Sequence, residues 1–177
     1  TARRRLAGAG IQTAALAISG TADPPLYAQV ESYDGTSWTE IADVNTAREE
    51  LAAAGTYTAA VAFGGKAGSA TGVTEMWDGS SWTEVADLNT SRQELTGDGA
   101  TNTAAIAIGG VPQRAVTETW NGTAWTEVAD LNTGRGSFRG GAGITTSALA
   151  FGGYTTTYVA INESWNGSSW SEVADLN

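Results

Sequence analysis

The sequence predicts an all-β protein: a β-propeller built of four-stranded antiparallel blades, four of them in this chain. Three observations carry that expectation. The stretch "TETWNGTAWTEVADLNTGR" (117–135) nearly recurs as "TEMWDGSSWTEVADLNTSR" (74–92), "VESYDGTSWTEIADVNTAR" (30–48) and "NESWNGSSWSEVADLN" (162–177). Cutting after each "AD(L/V)N" divides the whole chain into units 1–45, 46–89, 90–132 and 133–177. Each unit carries four short segments of strand character separated by turn signals. A four-stranded unit with a period of about 40 to 50 residues cannot bury its faces alone and must stack on copies of itself, which is the pattern of a propeller blade.

The elements follow in order within a unit. Each opens with Thr-x-Arg (Arg3, Arg48, Arg92, Arg135), then Leu6, Leu51, Leu95 or Phe138 and a Gly/Ala-rich stretch that forms the first strand. The second strand is "TAALAISG" (13–20), "TAAVAFGG" (58–65), "TAAIAIGG" (103–110) or "TSALAFGG" (146–153), apolar, too brief for a helix and closed by glycine. The third strand alternates over 29–33, 73–77, 116–120 and 161–165, putting Val73, Glu75 and Trp77 on one face and Thr74 and Met76 on the other. Asp34-Gly35, Asp78-Gly79, Asn121-Gly122 and Asn166-Gly167 then turn the chain into the fourth strand, because these dipeptides accept φ > 0 readily. The blade cores are expected to contain Leu16, Val61, Ile106 and Leu149, with most of the seven tryptophans packed between blades. Arg and Glu recur together (Glu31, Glu75, Glu118, Glu163), so a structural Arg–Glu ladder is expected rather than a ring of carboxylates for a cation. Asp43, Asp87, Asp130 and Asp175 read as turn fasteners.

The double glycines Gly64-Gly65, Gly109-Gly110 and Gly152-Gly153, with Ser19-Gly20 as the deviant copy, precede the aromatic pairs Tyr33/Trp38, Trp77/Trp82, Trp120/Trp125 and Trp165/Trp170. On these residues the chain resembles the kelch-repeat family and the central propeller of galactose oxidases, and the resemblance covers every unit. It departs from the usual pattern in a shorter hairpin between the aromatics and in having four units. Two arrangements stay open: a ring closing on itself, or four blades of a longer array. The near-identical copies with Trp-Asn-Gly-Thr hairpins also resemble propeller domains of bacterial viruses and marine bacteria. That resemblance implies a place outside the cell, on a virion or cell surface.

Composition narrows the function. The chain has 177 residues, 41% of them apolar, which fits one domain over 1–177. Nine basic against nineteen acidic residues give a net charge of −10, which repels nucleic acid and anionic lipid. The longest apolar runs, such as "AALAI" (14–18), are too short for membrane insertion. The chain contains no Cys and no His, which removes thiolate nucleophiles, imidazole bases and the usual zinc and copper ligands. No cofactor, no metal and no catalysis are expected. A glycosidase needs only two carboxylates, and the acidic residues that break the repeat are Asp23, Asp98, Glu49, Glu50 and Glu94.

The units differ chiefly in two places: the loops 21–27, 66–71, 111–115 and 154–159, and the pairs Arg4-Arg5, Glu49-Glu50, Gln93-Glu94 and Gly136-Ser137. In an up-and-down blade both emerge on one side. The expected function is therefore a non-catalytic binding module, an adhesin that takes a glycan or protein receptor on that side through Arg4, Arg5, Tyr27, Lys66, Arg114, Tyr154 and Tyr158. These supply aromatic faces and cationic donors on an acidic protein. The alternative is a structural virion component, a capsid decoration or fibre module that packs against neighbouring subunits.

Overall fold

The computed structural model describes residues 1–112, 114–138 and 140–177. Blade 1 holds β1 (Ala7–Ile11), β2 (Ala14–Ile18), β3 (Val30–Tyr33) and β4 (Trp38–Ile41). Blade 2 holds β5 (Ala52–Thr56) and β6 (Ala59–Phe63), then a small hairpin of β7 (Lys66–Ala67) and β8 (Ser69–Ala70), then β9 (Thr74–Trp77) and β10 (Trp82–Glu84). Blade 3 is β11 (Thr96–Thr101), β12 (Ala104–Ile108), β13 (Thr117–Trp120) and β14 (Trp125–Glu127). Blade 4 is β15 (Gly141–Ile144), β16 (Ser147–Phe151), β17 (Asn162–Trp165) and β18 (Trp170–Val173). Each blade is an antiparallel meander in chain order, and the four together make the expected all-β propeller architecture.

The register follows from the repeat. Tyr33 faces Trp38 across β3–β4, and the Trp77/Trp82, Trp120/Trp125 and Trp165/Trp170 pairs occupy the same rungs with ring centroids 5.4 Å apart. Asp or Asn before each turn glycine accepts two backbone N–H bonds, as Asp78 does from Ser80 and Ser81 at 2.8 Å each, and Gly79 takes φ 96°. Asp78 is held down to about 2 by the Ser81 backbone bond and the Ser80 bonds. Of the four aspartates read as turn fasteners, Asp87 alone among the described residues grips backbone, accepting from the Thr74 N–H at 3.1 Å.

Blades stack so that their innermost strands lie side by side, β1 on β5, β5 on β11 and β11 on β15. Each blade gives bulky side chains to the blade that follows and small ones plus its Trp pair to the blade before. Val61 and Phe63 of blade 2, for example, meet Ala105, Ala107, Trp120 and Trp125 of blade 3, with the Phe63 and Trp125 rings edge to face at 4.8 Å. Large against small lets the sheets approach closely enough to pack without voids. Among the described residues no comparable packing joins β15 to β1.

That open end corrects two expectations. Leu16, Val61 and Ile106 are buried at the following face of their blades, but Leu149 is 39% exposed because no blade among the described residues stacks on that face of blade 4. Trp82, Trp125 and Trp170 are 5–6% exposed, whereas Trp38 is 52% exposed because no blade among the described residues stacks against that face of blade 1.

The Arg–Glu ladder is present. Arg48 Nη1 donates to Glu75 Oε1 at 2.5 Å, Arg135 Nη1 to Glu163 Oε1 at 2.5 Å, and Arg92 pairs with Glu118 in the same way, all six side chains being sealed from solvent. Burying such pairs is costly unless the remaining donors and acceptors are filled. Here Arg48 also donates to the carbonyls of Thr46, Ala62 and Gly64, and Glu75 accepts from Asn45 N, Asn45 Nδ2 and Thr46 N. Burial lowers the Arg92 guanidinium below its ordinary value, and the bond to Glu118 works against that shift. In blade 1, Arg3 Nη1 lies 2.7 Å from Glu31, whose carboxylate is 23% exposed, so this rung is the loosest.

Candidate functional site

The variable segments meet at one end of every blade. Backbone bridges join Arg4 to Thr21, Glu49 to Lys66, Gln93 to Val111 and Gly136 to Tyr154, so the residue after Thr-x-Arg is tied to the loop that follows the second strand of the same blade. The Lys66 bridge is typical: Lys66 N donates to Glu49 O at 2.8 Å and Glu49 N to Lys66 O at 3.1 Å. The Asp-Gly and Asn-Gly hairpins lie at the opposite end, where Trp77 Nε1 donates to Tyr57 O and Trp120 Nε1 to Asn102 O.

The glycine pair makes the bridges possible. Gly64 and Gly65 have φ 65° and 105°, and a Cβ on Gly65 would fall 2.7 Å from Glu49 O. With no side chain there, Gly65 N reaches across to Arg92 O of the next blade at 2.9 Å, as Gly20 N does to Arg48 O and Gly110 N to Arg135 O. Ser19 adopts φ 60° in the deviant copy and is held by its hydroxyl, whose one proton lies between the carbonyls of Tyr27 and Arg48, each 2.7 Å away, and whose oxygen accepts from Arg48 N at 3.0 Å.

Where the innermost strands converge they line a cavity of ≈ 300 Å³. Its rim carries Arg5, Glu50 and Glu94, all at positive φ like the matching Ser137. Backbone bonds run around this rim from Glu50 N to Arg5 O and from Glu94 N to Glu50 O, both at 2.9 Å. Arg5 Nη1 sits 3.0 Å from both Glu49 and Glu50, Gln93 Nε2 donates to Glu50 at 2.8 Å, and Ser137 Oγ bonds Glu94. The bond to Glu49 and the charge of Glu50 raise the Arg5 guanidinium above its ordinary value. Burial, then the neighbouring Glu94, raises the Glu50 carboxyl.

The seven residues singled out in the sequence all lie at this end, distributed over the four blades. Tyr154 and Tyr158 contact one another edge to face at 5.3 Å, and Tyr158 is 81% exposed, the most open of the large apolar or aromatic side chains. Arg4 is exposed and paired with Asp23, and Arg5 is held by Glu49 and Glu50, so both cations are already matched by carboxylates. Lys66 and Arg114 have no carboxylate within 4.0 Å among the described residues, and the Arg114 Nε is buried with no hydrogen-bond partner. Tyr27 is half-buried, its N–H bonded to Gly20 O at 2.8 Å. Gln113, in the same loop as Arg114, lies outside the described residues.

Several acidic residues that break the repeat have structural partners. Asp23 pairs with Arg4, Glu49 with Arg5, and Asp98 accepts from Gly99 N at 2.7 Å and Gly143 N at 2.9 Å. Among the described residues no group of three carboxylates gathers closely enough to hold a metal ion. The rim of Glu50, Glu94 and Ser137 was visible in sequence only as positions that vary; its assembly around an axis depends on blade stacking. No protein-family model matches the chain, and no curated protein matches it.

Proposed function

We propose that the protein is a non-catalytic, kelch-like propeller binding module, an adhesin of a virion or cell surface that takes a glycan or protein receptor on its variable end. One observation carries the reading: the four backbone bridges gather both variable segments of every unit at the same end, while the shared hairpins turn away from it. Variation confined to one face of a rigid scaffold suits recognition. The chemistry suits a polyhydroxylated or acidic ligand. The Tyr154–Tyr158 pair offers an open aromatic face, and Lys66 and Arg114 offer donors that have no carboxylate within 4.0 Å among the described residues. Arg4 and Arg5 take part by shaping the rim, since their charges are engaged by Asp23, Glu49 and Glu50.

A glycan array followed by calorimetry tests the proposal. Binding that drops at least tenfold in a variant carrying Tyr154→Ala, Tyr158→Ala and Arg114→Ala supports it. Binding unchanged by the three substitutions, or a receptor docked solely on the Asn-Gly hairpins, refutes it.

A further inference from the structure

At the hairpin end, the junction between blades 3 and 4 is built differently from the one before it. The carbonyl that receives the third-strand tryptophan N–H marks the matching turn position in successive blades: Trp77 Nε1 donates to Tyr57 O, Trp120 Nε1 to Asn102 O and Trp165 Nε1 to Thr145 O. Between blades 2 and 3 the Asn102 side chain reaches back across the junction, Nδ2 to Trp77 O at 3.1 Å, and Met76 packs against the apolar cluster that the two blades share. Between blades 3 and 4 the same two places hold Thr145 and Thr119, since Thr119 pairs with Ile106 as Met76 does with Val61. Threonine is too short for either contact. The sheets there leave a groove of ≈ 430 Å³, walled by blade 3 on one side and blade 4 on the other.

We infer that this groove is a second binding site, one that takes a ring of a neutral saccharide. No charged side chain lines it, although the chain carries a net charge of −10, so neither an anion nor a cation would find a counter-charge there. A third exchange points the same way. Asn121 at the mouth stands where blade 2 has Asp78, and its Oδ1 accepts from Thr123 N at 2.9 Å and Ala124 N at 3.0 Å, the same fastening that Asp78 gives its own turn. The amide therefore keeps the turn closed, removes a carboxylate from the mouth and leaves Nδ2 as a donor with no partner among the described residues. Thr119, Thr145 and Thr146 add hydroxyls that are likewise unbonded among the described residues, each able to donate and to accept. Ala104 and Val128 give an apolar wall for the C–H face of a ring. The volume falls within the roughly 300 to 1,000 Å³ usual for small-molecule sites. Folding does not require these three exchanges, because Met76, Asp78 and Asn102 serve the same scaffold one blade earlier. The groove lies at the opposite end from the variable loops, so it is separate from the receptor surface proposed above.

Titrating the chain with glucose, galactose and mannose while following the tryptophan indole N–H signals by NMR tests it. At least one of the three should shift the Trp120 and Trp165 signals saturably at millimolar concentration, with the other five indoles unmoved. Thr119→Met with Thr145→Asn gives this junction the side chains of the one before it and should weaken the response at least about tenfold. Those five signals, kept at their parent positions, show that the variant is folded. Asn121→Asp leaves the turn fastened and the groove open, and the lost donor should weaken binding about fivefold. The triple Tyr154→Ala, Tyr158→Ala, Arg114→Ala variant should respond as the parent does. No shift with any of the three sugars at tens of millimolar, a response undiminished in the filled variant, or one abolished by the triple variant would overturn the inference. So would a stronger response to sulfate or to tetramethylammonium than to the sugars.

Discussion

Replacing Arg135 by Met keeps most of the aliphatic stem and removes the charge that faces Glu163. Three bonds are lost: to Glu163 Oε1 at 2.5 Å, to Thr133 O at 3.1 Å and to Ala150 O at 2.9 Å. Glu163 stays sealed from solvent and keeps its bonds from Asn132 N at 2.7 Å and Asn132 Nδ2 at 2.8 Å. Breaking a buried pair costs roughly 3 to 5 kcal/mol, and the retained Asn132 bonds place this case near about 3 kcal/mol at pH 7. The cost should depend on pH. Burial pushes the Glu163 carboxyl up, but the bonds from Arg135 and Asn132 outweigh it and leave the group below its ordinary 4.5. A carboxyl lowered on folding lends stability above its unfolded value and loses it as pH falls. Without Arg135 burial dominates, the carboxyl is raised, and its penalty disappears once it is protonated in acid. Urea unfolding at pH 7 and pH 4 should therefore show a gap between parent and variant that narrows in acid. Arg135→Met with Glu163→Met should lose less than Arg135→Met alone. An equal loss at both pH values, or a single-variant loss under about 1 kcal/mol, would refute the buried-pair account.

Val30 stands where Thr74 and Thr117 accept a tryptophan N–H, and Trp82 Nε1 is buried with no partner. Val30→Thr should thus stabilise the fold by about 1 kcal/mol, read as a raised urea midpoint. Gly65→Ala forces a Cβ to 2.7 Å from Glu49 O at φ 105°, and thermal unfolding should register a loss above about 1 kcal/mol. Asp78→Ala removes the group that fastens its turn, and because Asp78 is lowered from 3.8 to about 2, its contribution is present above pH 3.8 and fades as pH falls towards 2. The parent and this variant should converge in acid unfolding over that range.

How far the sequence spoke depended on whether a feature is local. The Asn-Gly turns, the period-2 third strand and the Arg–Glu pairing are set by residues within one unit, and they stand where the pattern placed them. Trp38 and Leu149 failed because their burial is the property of a neighbour: the repeat makes them equivalent to Trp82 and Val61, and only the stacking order distinguishes them. The β7–β8 hairpin in "KAGSAT" went unread because its turn rests on Gly68 at φ 85° in a loop with no alternating pattern around it. At the variable end, Arg5 was legible as a cation but not as a matched one, since Glu49 and Glu50 come from the next unit. Lys66 and Arg114 needed no such partner to be recognised.

The peptide that crosses from one blade to the next is also what completes the next blade's interior. Asn45, Asn89 and Asn132 each leave one sheet and place both a backbone and a side-chain N–H on the buried glutamate of the following sheet, while Val44, Leu88 and Leu131 just before them are buried. The physical module is therefore offset from the textual one: it begins with the crossing segment and ends at the fourth strand. A graft or deletion spliced at the sheet boundary, between β4 and Val44 for instance, moves a blade together with its own ligature and leaves every glutamate served. A splice after the asparagine, where the words of the sequence repeat most visibly, keeps the arginine with its glutamate but detaches the blade from the asparagine whose two N–H groups bond that glutamate. Shuffling blades between such arrays should follow the first joint, and foreign units should be accepted according to the asparagine that precedes them.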